Sequence, residues 1–190
     1  HVEIADFDND GKPDLYVSIV KFKDGKPYPI IFRNTGNKDG IPQFQEEGWG
    51  VNDFPTAEEK AIKRSGTLFE KILKDKKIMY MATAPSCDFN RDGKLDLFLG
   101  NWWIESKSLL LENQTKGGNW LEVQILGKDG VNRQGIGSKV ILYQTGQLGK
   151  EKGRIGYREI ITTQGYCSGL ESLAHFGLGE RKEVDIEVIL

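Results

Sequence analysis

Cysteine is nearly absent from this chain: Cys87 and Cys167 are the only two among 190 residues, which excludes both a disulfide framework and a CxxC zinc pattern. Histidine is as scarce, with only His1 and His175, so no imidazole cluster offers a zinc site. Charge of one sign is missing too. Twenty-six Lys and Arg face 28 Asp and Glu, a net charge of -2, too weak a field to draw nucleic acid or anionic lipid over distance. No apolar run approaches the roughly 20 residues of a membrane helix, so no membrane insertion is expected. The chain starts on His1-Val2-Glu3-Ile4-Ala5, a strand-like run with no leader before it, which reads as a piece of a longer protein.

What is present is an internal repeat. Ala5-Asp6-Phe7-Asp8-Asn9-Asp10-Gly11-Lys12-Pro13-Asp14-Leu15-Tyr16-Val17 aligns without gaps on Cys87-Asp88-Phe89-Asn90-Arg91-Asp92-Gly93-Lys94-Leu95-Asp96-Leu97-Phe98-Leu99, 82 residues further on (6 to 88). Each copy lies between two strand-like segments: 2–7 and 15–20, then 78–89 and 95–102. A third short run follows in each, 29–34 and 109–113, and both end in an Asn suited to a turn. A fourth, 43–46, completes a four-stranded unit in the first copy, the size of a propeller blade. Two such units cannot close a ring.

Between the copies, Pro55 to Lys77 breaks the pattern. Thr56-Ala57-Glu58-Glu59 is a capping box, and Ala61, Ile62, Leu68, Phe69, Ile72 and Leu73 recur at helical spacing, so a helical insertion over about 55–77 is expected. From Gly117 onward the texture changes to alternating strands at 120–126, 139–143, 157–163 and 184–190. The expected division is 1–116 and 117–190. The fold class is therefore all-β: a partial propeller of about two blades, with an inserted helix, plus a C-terminal sandwich- or barrel-like β domain.

The repeated loop carries the chemistry. Asp6, Asp8, Asp10 and Asp14, and in the second copy Asp88, Asn90, Asp92 and Asp96, stand at positions 1, 3, 5 and 9, with Gly11 or Gly93 at position 6. Oxygens at alternate positions of a tight loop converge on one point, the glycine permits the bend, and the position-7 carbonyl of Lys12 or Lys94 adds a ligand. Such a donor set suits Ca2+, two sites in all, better than the smaller octahedral Mg2+. Carboxylates 4 Å apart repel by about 4 kcal/mol per pair at an effective dielectric near 20, and a divalent ion reverses that sign. Helix-loop-helix calcium hands put a Glu at position 12, where this chain has Val17 and Leu99. The bland alternative is that both loops are hairpin turns.

This pattern between strands resembles the FG-GAP or VCBS-type repeat of integrin-like β-propellers. The C-terminal stretch is similar to the ASPIC/UnbV domain, through Asn119-Trp120-Leu121-Glu122-Val123, the run from Asn132 to Val140, Gln164 to Gly169, and His175-Phe176-Gly177-Leu178-Gly179. The resemblance implies an extracellular, cell-surface or periplasmic adhesion or scaffold module with protein or carbohydrate ligands, no nucleic acid, and no catalysis. Two departures stand: Asn90 replaces an Asp, which weakens the second site, and two blades leave sheet edges open to self-association.

Other motifs in the sequence admit rival readings. Gly165-Tyr166-Cys167-Ser168-Gly169 has the form of a cysteine nucleophile elbow with His175 downstream, the basis of a hydrolase alternative beside a polysaccharide-active enzyme using carboxylates. A buried thiol and a Cys87 to Cys167 disulfide compete for Cys167, and His175 reads as a structural histidine. Gly135-Ile136-Gly137-Ser138-Lys139 is turn chemistry and not a phosphate cradle. Trp102 and Trp103 point to opposite strand faces, which offers one of them to a sugar or a partner against core packing for the other. Asn113-Gln114-Thr115 forms a glycosylation sequon.

Overall fold

In a computed structural model, residues 1–23, 26–47, 81–101 and 108–190 are described. The expected helical insertion at 55–77 and Trp102 and Trp103 lie outside them.

The first copy is a four-stranded antiparallel sheet in chain order: β1 (Val2–Ala5), β2 (Asp14–Lys23), β3 (Lys26–Lys38) and β4 (Ile41–Glu47). Its first strand alternates exposed and buried residues, the period-2 signature of a strand with one face on a core. The second copy centres on β7 (Asp96–Asn101). One edge of β7 pairs with β5 (Met81–Thr83) and β6 (Ser86–Cys87), and β8 (Leu109–Leu111) pairs with it as well. Pro85 separates β5 from β6, and its carbonyl still accepts from the Phe98 amide at 3.1 Å. Proline lacks the donor that would continue the ladder. The two sheets share one core of Ala5, Phe7, Tyr16, Ile31, Ala84, Leu97 and Leu99.

The C-terminal segment pairs β9 (Asn119–Gln124) with β12 (Leu173–Gly179), and stacks β11 (Arg154–Glu159), β10 (Lys139–Tyr143) and β13 (Asp185–Ile189) into a three-stranded sheet. It has its own core of Ile125, Val140, Leu142, Ile160, Ala174, Phe176 and Leu178. Burying such side chains contributes about 1.5–3 kcal/mol each, so this cluster supports the segment without a staple. Both thiols are free. The glycine-rich stretch before β10 is a turn: Asn132 bonds the Ile136 amide and carbonyl at 2.8 and 2.7 Å.

The architecture is all-β among the described residues, apart from a 3-10 turn at Glu151–Gly153, and none of its small sheets closes.

Candidate metal centre

The first loop leaves β1 at Ala5 and enters β2 at Asp14, and these two residues are register partners. Asn9 and Gly11 take left-handed backbone angles (φ 54° and 90°), which fold the chain back over Asp6. Asp6 then accepts from the amides of Asp10 (3.1 Å) and Gly11 (2.8 Å), and Asp8 from that of Asp10 (3.3 Å). Asp10 accepts from the Lys12 amide at 2.9 Å. Asp14 takes the amides of Phe7 (3.1 Å) and Asn34 (2.8 Å), so it closes the loop across its base and ties it to β3.

The second loop repeats this bond for bond. Cys87 and Asp96 are register partners, and Arg91 and Gly93 carry the left-handed angles (61° and 86°). Asp88 accepts from Asp92 (3.0 Å) and Gly93 (2.7 Å), and Asn90 from Asp92 (3.1 Å). Asp92 accepts from Lys94 at 3.0 Å, and Asp96 from Phe89 (3.2 Å) and Asn113 (2.7 Å).

Asn34 and Asn113 complete each unit. Each donates to the carbonyl just before the strand Asp, Pro13 at 3.1 Å and Leu95 at 3.0 Å, and accepts from the amide two residues on. The sequence marks them only as turn residues. Their signal was recurrence at one place in both copies.

In the first loop one oxygen from each of Asp6, Asp8 and Asp14 lies within 4.8 Å of the others, and all three residues are buried. Burial is the main cause that pushes Asp6 up to about 7 and Asp14 to about 6; backbone hydrogen bonds pull the other way and neighbouring carboxylates add to the rise. The outer carboxylates are neutralised within the chain. Arg33 Nε donates to Asp8 at 2.7 Å, its Nη2 lies 3.4 Å from Asp10, and the Lys12 ammonium also pairs with Asp10. Asp6 and Asp14 instead accept from backbone amides.

The second loop buries Asp88 and Asp96 and leaves Asn90 and Asp92 exposed. Burial raises Asp96 above the ordinary carboxylate range. Lys94 stands 3.6 Å from Asp92. The side-chain donors in both loops are oxygen only, and a carboxylate oxygen engaged by one N–H keeps lone-pair capacity for a cation. The buried oxygens of Asp6, Asp8 and Asp14 in the first loop, gathered within 4.8 Å, fit a hard divalent ion.

A cleft of about 330 Å³ opens beside the loops, walled by Asp6, Asp88, Glu122, Glu171 and His175. Its acidic lining repels phosphate groups.

Cys167 and His175, the residues of the nucleophile reading, lie in different surroundings. Cys167 is exposed, not buried as one reading had it, on a turn with φ of 50°. His175 is buried, its Nε2 on the Gly93 carbonyl at 3.1 Å and its ring stacked 6.3 Å from that of Trp120. No hydrogen bond joins the two residues, and β12 follows at Leu173 in place of a long helix.

Residues 128–189 match the family model described as ASPIC and UnbV. Over 186 residues, 97% of the chain, the sequence is 27% identical to cartilage acidic protein 1 of Homo sapiens, covering 23% of that protein. It is 27% identical to cartilage acidic protein 1 of Mus musculus and 28% to that of Xenopus tropicalis, covering 24% of each. The chain spans about a quarter of the length of these curated relatives.

Proposed function

We propose that this chain is a non-enzymatic, calcium-binding part of a secreted or cell-surface protein: FG-GAP/VCBS-type repeats followed by an ASPIC/UnbV domain, serving adhesion or scaffolding toward protein or glycan partners. The observation that carries the reading is the bond-for-bond identity of two acidic loops 82 residues apart (6 to 88), whose inner carboxylates are buried. A hairpin turn does not need buried carboxylates. Burying several carboxylates together costs several kcal/mol even where backbone amides serve them, and a bound cation would offset that cost in both copies.

Asp6, Asp8, Asp10, Asp14 and the Lys12 carbonyl would hold one ion, and Asp88, Asn90, Asp92, Asp96 and the Lys94 carbonyl the other. Bound Ca2+ supplies positive charge that removes the repulsion within each loop. The residues themselves do the positioning: Asp14 and Asp96 lock the loop to the neighbouring strands, and the glycines turn it. If each site binds a hundredfold below ambient calcium, occupancy stabilises folding by about 2.7 kcal/mol per site. Extracellular fluid, with its high free calcium, suits such loops.

Calorimetric titration with Ca2+, paired with melting curves in calcium and in EDTA, tests this. Two equivalents of heat-evolving uptake and a higher melting temperature in calcium are expected. Superimposed melting curves with no heat signal would refute the reading.

A further inference from the structure

The backbone carbonyls of the two acidic loops are bonded to the C-terminal segment. In the first loop the Phe7 carbonyl accepts from Asn113 Nδ2 (2.8 Å) and Thr115 Oγ1 (2.9 Å). The Asp8 carbonyl accepts from the Gly118 amide (3.1 Å) and the Asn9 carbonyl from the Gly179 amide (2.7 Å). Three consecutive carbonyls of the loop thus meet donors from residues 113–179. In the second loop the Gly93 carbonyl takes Asn9 Nδ2 at 2.8 Å and faces His175 Nε2 at 3.1 Å. A carbonyl only accepts, so that ring nitrogen carries the hydrogen. One oxygen therefore joins the first loop, the second loop and β12.

The packing there leaves no room for a side chain. A Cβ on Gly177 would stand 2.1 Å from Asp6 Oδ2 and 2.5 Å from Asn9 Cα. One on Gly118 would meet the Asn9 carbonyl at 2.7 Å, and one on Gly93 the Trp120 indole at 1.8 Å. At the rim, Arg91 of the second loop reaches Glu171 at 3.0 Å and Glu122 at 3.7 Å.

We infer that the loop carbonyls of Phe7, Asp8, Asn9 and Gly93 are the docking surface for residues 113–179, and that cation uptake by the loop carboxylates tightens this docking. The inference rests on the calcium reading. One backbone turn links the two sets of bonds: around Asn9, with its left-handed angle, the Asp10 amide bonds the Asp6 and Asp8 carboxylates while the Asp8 and Asn9 carbonyls accept from Gly118 and Gly179. A loop that opens through charge repulsion moves its carbonyls away from Gly118 and Gly179. Linkage makes the effect reciprocal, so damage to the docked side lowers cation affinity by the factor that cation loss loosens docking.

The experiment uses the intact chain with Ca2+ as probe. Hydrogen exchange at the Gly118 and Gly179 amides is followed by NMR with and without the ion, next to calorimetry. Calcium removal is expected to speed exchange at both amides by about tenfold or more while Val140 and Leu142, inside the C-terminal core, hold steady. Gly118→Ala, whose methyl would meet the Gly179 backbone and the Asn9 carbonyl but no carboxylate, is expected to weaken the first site by about tenfold and spare the second. If this variant fails to fold, the exchange measurement on the unaltered chain still decides. Calcium uptake with unchanged exchange at Gly118 and Gly179 overturns the docking inference and leaves the calcium reading standing. No uptake at all overturns both.

Discussion

Loops one and two are built from the same backbone bonds and differ in charge and cover. In the first, Asp8 is buried and held by Arg33; in the second, Asn90 at the same position is exposed and uncharged. The third-strand residue before the conserved-geometry Asn changes as well, Arg33 in one copy and Glu112 in the other. Geometry therefore survives a change of charge, because backbone amides and not side-chain ion pairs shape the loop. On the proposed reading affinity would not share that independence, since the number of charged ligands tunes how tightly a loop holds calcium.

The comparison breaks hardest at the strand Asp. Asp14→Ala strips the acceptor from the Phe7 and Asn34 amides in a fully buried place, and is expected to cost about 3 kcal/mol in urea denaturation. One calcium equivalent should vanish with it. A loss below about 0.5 kcal/mol would show that the loop is not held as described. Next in size is Asn90→Asp, which restores the missing charge and should strengthen the second site by about tenfold in calorimetry. An unchanged affinity would mean that position 3 is not a ligand.

The pH dependence follows. Asp6 and Asp14 have folded-state values of about 7 and 6, above the ordinary 3.8, so the metal-free folded chain binds more protons than the unfolded one in between. Their contribution is complete below about pH 4 and is lost as pH rises through 6 and 7. Without metal the melting temperature should fall by about 3 °C or more across that window, and saturating calcium should remove the slope. The smallest effect separates the two asparagines. Asn113 reaches the Phe7 carbonyl in the other copy at 2.8 Å in addition to its local bonds, so Asn113→Ala should cost about 1 kcal/mol more than Asn34→Ala.

The alternation of acidic residues and the position-6 glycines made the loops legible, because a local turn needs only local residues. Strands β1, β2, β9, β10 and β13 follow from period-2 patterning for the same reason. β12 was harder: Gly177 and Gly179 interrupt its run, and glycine reads as a break even where close packing demands it. The seam was invisible. Asn9 and Gly93 are 84 residues apart, and Gly93 and His175 are 82, so no window of sequence contains both partners. Arg33 was missed likewise, as nothing local ties it to Asp8, 25 residues away.

Arg33 and Lys12 give the first loop a resident counter-charge. Shape and charge are thus supplied separately, the turn by backbone amides and the counter-charge by two tethered cations, so on the proposed reading an arriving ion would have to compete with Arg33 and Lys12 for Asp8 and Asp10.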